Sequence, residues 1–517
     1  MVRPVLSQRR STVSIRNSLS GIVAVGIGFL LFLNLWYNEE VSRTPLTELL
    51  TAYNEKYNFG TNERNVGIAP DSPHSPKQEY VVSNIDSAFT TKDGEPIKIA
   101  HAISLITCKR LDRVIGFLDA LVILRHSIHQ NSIHNQRGQY SYQMYAIIHP
   151  DGGCVEHVHL LQRLGYIPII RETPVNLTAS LPTSSWYLNH VESENCCGSK
   201  EFIKLYAYTL TDHPLVVHWD LDVLVLKPMD DLYDAMIFDA TSPRGAAARA
   251  KLQIQRPGIQ KLPERIDAFF TRDITSARPW ENITAVQGGF VVARPSMENF
   301  RVYQDFISKG DFKPGRGPGS GWAGLGYGGF QGAMAYQGVL AYFYDQIYPD
   351  HSVELDVCHW NQVVADVVWR GPARREEFYG KCRDYPPDHN FADNTPENGA
   401  CHDCRSLPVD QTRTVHYTAC KKPWECRIPH PRHPRDKSQA ERIQELTNIT
   451  TCKLLFSEYF LYRRDVEDKI NAIARQIQPT RDGNFERDAF RGYCAAPGKY
   501  IPMALPESFD MKNVYGF

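Results

Sequence analysis

The chain has 517 residues, of which 42% are hydrophobic, so it is long enough to bury a sizeable core. This length fits two or three ordinary domains, or one large catalytic domain with appendages. The 57 basic and 58 acidic side chains give a formal net charge of -1. That balance lacks the basic field of a nucleic-acid-binding protein and the acidic excess of a solvated tail, so we expect no nucleic-acid partner.

The first informative segment is residues 19–37, LSGIVAVGIGFLLFLNLWY, which contains no charged side chain. At about 1.5 Å per residue, a helix of this length nearly spans a hydrocarbon core about 30 Å thick. Residues 1–18 contain arginines but no acid, and Glu39 and Glu40 follow the segment, so the N-terminus is predicted to be cytosolic. A cleaved signal peptide is the alternative, but the segment is long for one and lacks a clear cleavage site. We therefore predict a single-pass type II membrane protein.

The cysteines and glycosylation sequons indicate a luminal location for the remainder of the chain. All 12 cysteines follow the apolar segment, and an even number is compatible with disulfides in an oxidising compartment. Sequons at Asn176, Asn282 and Asn448 agree with the secretory pathway. Cys401 and Cys404 have a zinc-ligand spacing, but without a clear second pair a disulfide is favoured. We predict the Golgi membrane, with the endoplasmic reticulum as the alternative.

The segment after the anchor, residues 38–97, is polar and rich in Pro, Asn, Ser and Thr, so it is predicted to be a stem. Beyond it, apolar strand-like segments alternate with helical ones. The strands are expected at 99–107, 143–148 and 166–170, and the helices at 112–128 and 155–164. This alternation predicts an α/β domain with a mostly parallel sheet, whose ligands bind at the carboxyl ends of the strands.

Another apolar segment, residues 215–219, runs directly into Asp220-Leu221-Asp222. Residues two apart in an extended chain point to the same side, so the two carboxylates can bind one ion. Oxygen ligands favour a hard cation such as manganese or magnesium over zinc. Nucleotide-sugar chemistry needs such an ion, because the leaving diphosphate is negatively charged. A D-x-D triplet also arises by chance about once in a chain this long, so its position after a strand is what favours a metal site.

Two longer motifs surround this triplet in order along the chain. Residues 202–226, FIKLYAYTLTDHPLVVHWDLDVLVL, place Lys204 one helix before the D-L-D strand, and residues 415–424 read VHYTACKKPW. Both resemble motifs of glycosyltransferase family 8, the glycogenin-like retaining enzymes with a GT-A fold, a Rossmann-like nucleotide-diphospho-sugar transferase fold. The second motif is similar to H-[FY]-x-G-x-x-K-P-W, with Ala419 at the position of the glycine. The resemblance covers residues 99–424 and implies a GT-A domain at 98–430, followed by a C-terminal helical extension at 431–517.

The resemblance also implies an activity and a set of site residues. The chain would transfer a hexose or uronic acid, with retention, from a UDP-sugar to a glycan, glycoprotein or glycolipid acceptor. His416 would be the third protein ligand of Mn²⁺, with Mg²⁺ as the alternative ion, and Lys422 would stabilise the leaving diphosphate. The donor is expected to contact Leu105, Thr107, Lys204, Asp220, Leu221, Asp222, Gln287, Gly289, Gln337, His416 and Lys422.

The expected sugar end of the site departs from the family pattern. Residues 286–296 resemble the family strand N-[ST]-G-x-x-V, with Gln287 in place of the asparagine and Gly289 retained. Residues 335–341, AYQGVLA, stand where the family has D-Q-x-x-L-N, an element whose acid helps to hold the donor sugar. Tyr336 replaces that acid. Gln337 is retained, and the resemblance puts it near the reacting carbon, so we predict Gln337 and Lys422 as catalytic residues.

Several interpretations remain open at this point. The glycine-rich segment 314–332 can be a lid over the donor or acceptor, or a passive surface loop. An inverting GT-A enzyme would need a carboxylate or histidine base near the acceptor. The replacement of the acid by Tyr336 also makes a catalytically silent luminal homologue, which binds glycans or a partner, a second hypothesis. A membrane-anchored structural protein explains residues 19–37 but not the ordered motifs.

Overall fold

The computed structural model describes the chain from residue 95 onward, with gaps. The described ranges are 95–106, 116–194, 197–255, 262–273, 283–363, 404, 407–418, 420–427, 439–474, 493–496, 499–503, 505 and 509–516. The predicted cytosolic tail, membrane anchor and nearly all of the stem lie outside them. None of the helices within these ranges is long and apolar enough to span a bilayer. The predicted domain boundaries therefore remain predictions.

The described part of the chain is an α/β structure. Its strands are β1 Lys98–Leu105, β2 Ser141–Ile148, β3 Tyr166–Ile170, β4 Val216–Trp219, β5 Val223–Val225, β6 Ala268–Arg272, β7 Val286–Ala293, β8 Phe312–Lys313, β9 Gly321–Trp322, β10 Ser352–Glu354, β11 Thr414–His416, β12 Cys494–Ala496 and β13 Lys499–Tyr500. Its α-helices are α1 Phe117–Gln130, α2 Val158–Arg163, α3 Leu177–Ser180, α4 Trp186–Val191, α5 Asp230–Ile237, α6 Pro243–Gln255, α7 Met297–Lys309, α8 Tyr336–Tyr342, α9 Val357–Trp360, α10 Gln439–Ala474 and α11 Met511–Tyr515.

Seven strands form the central sheet, in the order β10-β6-β7-β4-β1-β2-β3. Strand β7 is antiparallel to both of its neighbours, β4 and β6, and the other neighbouring strands are parallel. The sheet is thus mixed and mostly parallel, as predicted. Because two antiparallel steps restore the direction, β6 runs the same way as β4 and β1, and these three strands end at one edge of the sheet.

Both faces of the sheet are buried, which explains the nearly continuous apolar strands. In β1, Ile99 and Ile103 pack into the core on the side of α1, whereas Ala100 and Ala102 pack into the core on the other side. This alternation is the period of two expected for an extended chain. The second core is built against a 3₁₀ helix, Gly198–Thr209, which carries Lys204 towards the end of β4.

A short antiparallel pair, β5 and β11, lies next to the central sheet and joins two distant parts of the sequence. Its register pairs Val415 with Leu224 and His416 with Val223. The His416 backbone N–H also donates to the carbonyl of Gln362 at 3.1 Å. Since β5 begins one residue after Asp222, this register brings His416 beside the D-L-D segment.

The C-terminal part of the chain packs on α1 and is fixed by covalent and ionic contacts. Disulfides join Cys420 to Cys452 and Cys426 to Cys494. Arg463 of α10 forms a buried ion pair with Asp119 of α1, with 2.9 Å between Nη1 and Oδ2. The described residues beyond 430 therefore contribute to the same core as the sheet.

The described disulfides include a third pair, Cys358–Cys404. This bond occupies the sulfur of Cys404, so Cys404 is not a zinc ligand, and Cys401 lies outside the described residues. The three disulfides whose cysteines are both described are typical of proteins that fold in an oxidising compartment.

Candidate metal and nucleotide-sugar site

The D-L-D segment lies between β4 and β5, at the edge where β1, β4 and β6 end. The backbone N–H of Asp220 donates to the carbonyl of Gly289 at 3.0 Å, and the carbonyl of Asp222 accepts from the N–H of Tyr417 at 2.8 Å. Backbone hydrogen bonds to β7 and to the segment after β11 therefore hold both aspartates in place. This is the edge of an α/β sheet at which ligands bind.

Asp220, Asp222 and His416 form a group that could hold one metal ion. One potential ligand atom from each residue lies within 4.8 Å of the others. The Nε2 atom of His416 is 3.2 Å from Oδ1 of Asp222 and 4.0 Å from Oδ2 of Asp220. Two carboxylates and an imidazole are a donor set suited to manganese or magnesium.

The environment of His416 tests whether such an ion fits. The residue is 2% exposed; its Nε2 faces the two carboxylates without an aligned hydrogen bond, and its Nδ1 has no hydrogen-bond partner among the described residues. Buried polar groups are costly when they are not well paired, so an imidazole nitrogen aimed at two carboxylates is explained well by a bound cation. Burial lowers the pKa of His416, although Asp220 and Asp273 oppose this effect, and keeps the ring in the neutral form that binds metals.

Gly289 leaves the space that this group occupies. A Cβ at this position would lie 2.4 Å from Cε1 of His416 and 2.7 Å from Oδ2 of Asp220. Any side chain larger than hydrogen would therefore displace two members of the group. Gly289 does not line the cavity itself, but its lack of a side chain allows the site to form.

Two lysines flank the aspartates, and each lysine contacts one aspartate. Nζ of Lys204 is 2.9 Å from Oδ1 of Asp220, and Lys422 contacts Oδ2 of Asp222. Burial alone would raise the pKa of Asp220, but Lys204, His416 and His218 outweigh it and hold that pKa below its ordinary value. Burial also lowers the pKa of Lys422 to about 8, against the opposing effect of Asp220 and Glu425. Both lysines are close enough to the aspartates to contact an anion bound to the same ion.

A cavity of about 590 Å³ opens over this group. It brings together nine of the eleven residues expected at the donor: Leu105, Lys204, Asp220, Leu221, Asp222, Gln287, Gln337, His416 and Lys422. Gly289 lies behind His416, and Thr107 lies outside the described residues. Part of the cavity lining comes from the ends of β1, β4 and β6, which run in the same direction.

Two acidic residues of the cavity lining, Glu201 and Asp273, are absent from the sequence prediction. Asp273 follows β6 directly, and the amide Nε2 of Gln337 donates to its Oδ2 at 3.2 Å. In the sequence, Asp273 is an aspartate that follows a mostly apolar segment, AFFTRD. This pattern indicates a site residue only weakly unless the direction of β6 in the sheet is known. Glu201 lies one turn before Lys204 on the same 3₁₀ helix.

Tyr336, which replaces the expected acid, is fully buried and does not line the cavity. Its hydroxyl has no hydrogen-bond partner among the described residues. The Nζ atom of Lys204 lies 5.4 Å from the centre of its ring, a cation–π arrangement. Burial raises the pKa of Tyr336 well above its ordinary value, so the side chain is neutral and presents its ring face to Lys204.

The glycine-rich segment 314–332 is held by hydrogen bonds within itself and to the residues that flank it. The N–H of Gly326 donates to Ser320, and the indole N–H of Trp322 donates to the carbonyl of Ala333, at 2.8 and 2.9 Å. Gln331, near its end, lines the cavity. The segment therefore borders the site, and the lid hypothesis stays a prediction.

No protein-family model and no curated protein matches the chain. Solved structures do. Mouse xyloside xylosyltransferase 1 is 10% identical with a TM-score of 0.31, covering 64% of this chain and 100% of the mouse chain. The galactosyltransferase LgtC, in complex with donor and acceptor sugar analogues, is 12% identical with a TM-score of 0.31, covering 68% of this chain and 95% of LgtC. GlyE of Streptococcus pneumoniae TIGR4 is 10% identical with a TM-score of 0.30, covering 70% of this chain and 64% of GlyE. The chain is thus similar in fold to solved glycosyltransferases, the class that its sequence resembles.

Proposed function

We propose that this chain is a metal-dependent, retaining glycosyltransferase of the GT-A fold, which transfers a sugar from a UDP-sugar to a hydroxyl of a glycan, glycoprotein or glycolipid. The observation that carries the proposal is His416, a buried imidazole whose Nε2 faces two aspartates in the segment that follows strand β4. A lysine on each aspartate supplies the positive charge that a diphosphate requires.

The donor would bind across this edge of the sheet. Asp220, Asp222 and His416 would hold Mn²⁺, with Mg²⁺ as the alternative, and the bound ion would neutralise charge on the diphosphate. Lys422 and Lys204 would contact the diphosphate oxygens as point charges, so that negative charge on the departing UDP is stabilised. UDP, Leu105 and Thr107 as its contacts, and the retaining outcome are taken from the family resemblance.

The transfer itself exchanges one bond at the anomeric carbon for another. The bond from that carbon to the diphosphate oxygen breaks, the acceptor oxygen bonds to the same carbon, and the acceptor proton passes to the departing diphosphate. Gln337 lines the cavity beyond the metal-site residues, and an amide there can orient the sugar by hydrogen bonds. We assign it a catalytic role in positioning the reacting carbon.

The proposed setting is the Golgi membrane, with the endoplasmic reticulum as the alternative and the catalytic region in the lumen. The support is the apolar segment 19–37 with arginines before it, together with the three disulfides.

A second candidate is a catalytically silent luminal homologue. Tyr336, which stands at the family's acidic position and is buried away from the cavity, favours it. Such a protein would bind UDP with manganese but would not turn over a UDP-sugar.

One assay separates the two candidates. UDP release from a panel of UDP-sugars is measured on the full-length protein in detergent, with manganese or with a chelator. The proposed enzyme releases UDP from one donor, and both the chelator and Asp222→Asn reduce the rate by about 100-fold or more, as expected for lost charge stabilisation. Asp305→Asn is the matched control, because Asp305 is exposed on α7 and pairs with Lys309.

Turnover that neither the chelator nor Asp222→Asn reduces would contradict the assigned site. Manganese-dependent UDP binding without turnover of any donor would favour the silent homologue. The anomeric configuration of the product distinguishes retention from inversion.

A further inference from the structure

The cavity has a second group of polar side chains beyond the three metal-site residues. Glu201, Asp273, Gln287, Gln331 and Gln337 all line it. Two carboxylates and three primary amides are hydrogen-bonding groups that suit the hydroxyls of a sugar. The ammonium groups among the described lining residues are those of Lys204 and Lys422, and each lies on a metal-site aspartate.

The contact between Asp273 and Gln337 fixes the position of one of these carboxylates. Nε2 of Gln337 donates to Oδ2 of Asp273 at 3.2 Å, and the backbone N–H of Asp273 donates to the carbonyl of Ala285 at 2.8 Å. The first contact ties the end of β6 to the first turn of α8, and the second ties it to the segment before β7. Asp273 is therefore held by two neighbouring elements beside the glutamine that the sequence motif retains.

The contact between Asp273 and Gln337 also matters for Tyr336, which replaces the acid of the family motif. The motif that Gln337 belongs to has an acid directly before the glutamine, and here that position holds a buried tyrosine outside the cavity. Asp273 brings a carboxylate to the same glutamine from a different strand. An acid is thus present at this end of the cavity although the motif itself lacks one.

We propose that Asp273, positioned by Gln337, binds hydroxyl groups of the transferred sugar, and that the acidic lining selects a neutral sugar over a uronic acid. This inference rests on the proposed function, since it assigns a role at the same donor site. A carboxylate accepts hydrogen bonds from sugar hydroxyls, and such charge-assisted bonds are the stronger ones. A uronic acid would instead bring a third carboxylate towards Asp273 and Glu201, and like charges in a partly buried site repel.

Glu201 reinforces this charge pattern. It is 6% exposed and lies three residues before Lys204 on the 3₁₀ helix, so its side chain reaches the cavity from the same side as that lysine. The hexose and the uronic acid, both compatible with the sequence, are therefore distinguished by the charge of the lining.

The test measures binding of UDP, three neutral donors and one acidic donor to the full-length protein with manganese, by calorimetry. The neutral donors are UDP-glucose, UDP-galactose and UDP-xylose, and the acidic one is UDP-glucuronic acid. We expect the tightest neutral donor to bind at least about 10-fold more tightly than UDP-glucuronic acid. Asp273→Asn should lower the affinity for that neutral donor by about 10-fold or more, as expected for loss of a hydrogen bond to a charged group. The affinity for UDP itself should stay within about 2-fold of the wild-type value. The substitution should also reduce the difference in affinity between the neutral donor and UDP-glucuronic acid.

Asp305→Asn serves again as the control and should change none of these affinities. If UDP-glucuronic acid binds the wild-type protein as tightly as the best neutral donor, the inference is wrong, and this comparison needs no variant to fold. Equal weakening of UDP and of the UDP-sugar in Asp273→Asn would also overturn it, because Asp273 would then act on the nucleotide or the fold. Absence of manganese-dependent UDP binding would instead defeat the proposed function itself.

Discussion

Nε2 of His416 is 3.2 Å from the Asp222 carboxylate. The two residues lie side by side because the register of β5 and β11 pairs His416 with Val223, which directly follows Asp222 in the sequence. Two backbone hydrogen bonds, one on each residue, support this arrangement: His416 donates to Gln362, and Asp222 accepts from Tyr417. The metal group thus depends on a strand pair that joins the D-L-D segment to a motif far along the sequence.

The first prediction concerns the imidazole. His416→Ala removes one of three candidate ligands, and we expect manganese affinity to fall by about 10- to 100-fold or more, on the scale of disrupted metal sites. Manganese titration of the UDP-bound protein measures it. His159→Ala is the matched control, because His159 is exposed on α2. Unchanged manganese affinity in His416→Ala would remove His416 from the ligand set.

The second prediction compares neighbouring glycines of β7. Gly289→Ala introduces a Cβ that would lie 2.4 Å from Cε1 of His416, so we expect manganese binding to be lost. In Gly288→Ala the new Cβ points to the other face, where it would lie 3.1 Å from Cγ of Gln337. This variant should keep a manganese affinity near that of the wild type but bind the UDP-sugar more weakly. Metal titration and calorimetry on both variants provide the comparison. Equal effects of the two substitutions on manganese would argue against the close approach at Gly289.

Much of the sheet could be predicted from the sequence because local apolar runs identify buried strands. The segment predicted as 143–148 is β2, Ser141–Ile148, and the segment 215–219 contains β4, Val216–Trp219. The D-L-D aspartates and His416 were recognisable because their motifs are short and contiguous. Each of these features depends on neighbouring residues only.

The features that could not be predicted depend on strand direction and on distant contacts. An apolar run has the same pattern in either direction, so the antiparallel orientation of β7 was not visible, nor was the shared direction of β6 and β4. Without that direction, Asp273 is one aspartate after an apolar segment, and its contact with Gln337 spans 64 positions. The burial of Tyr336 likewise follows from the packing of α8 under Lys204.

The third prediction concerns the ion pair that fixes the C-terminal helix. The side chains of Arg463 and Asp119 are 1% and 0% exposed, and Asp119 also accepts from the N–H of Met503 at 3.0 Å. Arg463→Met leaves Asp119 buried without its cation, so we expect the free energy of unfolding to fall by about 3–5 kcal/mol. Denaturant unfolding of the full-length protein in detergent measures the change.

Two further variants make this test specific. Arg464→Met alters the exposed neighbour of Arg463 and should change stability little. The double variant Asp119→Asn with Arg463→Met removes both charges and should be more stable than Arg463→Met alone, since no unpaired charge stays buried. The single variant Asp119→Asn completes the cycle: if the double variant loses the sum of the two single losses, the two side chains are not coupled.

The fourth prediction concerns the pH dependence of stability at the start of α5. Burial, together with the nearby Asp234, raises the pKa of Asp230 to about 7. An aspartate at a helix N-terminus is ordinarily stabilised in its charged form, so burial and Asp234 outweigh the helix dipole here. Because the folded state holds this proton more tightly than the unfolded state, the stabilising contribution of protonated Asp230 is present below about pH 4. It is lost as the pH rises through about 7.

Asp230→Asn removes this titration, because an amide does not ionise. It keeps the hydrogen bond from the N–H of Gln139, which donates to Asp230 at 3.0 Å, because the amide oxygen can still accept it. We therefore expect the variant to unfold at a higher temperature than the wild type above pH 7, with the difference shrinking towards pH 4 as the wild-type carboxyl becomes protonated. Thermal unfolding at a series of pH values measures this difference, with the exposed Asp350→Asn as the control. A stabilisation that stays constant with pH would mean that Asp230→Asn acts through packing and not through the charge of the carboxylate.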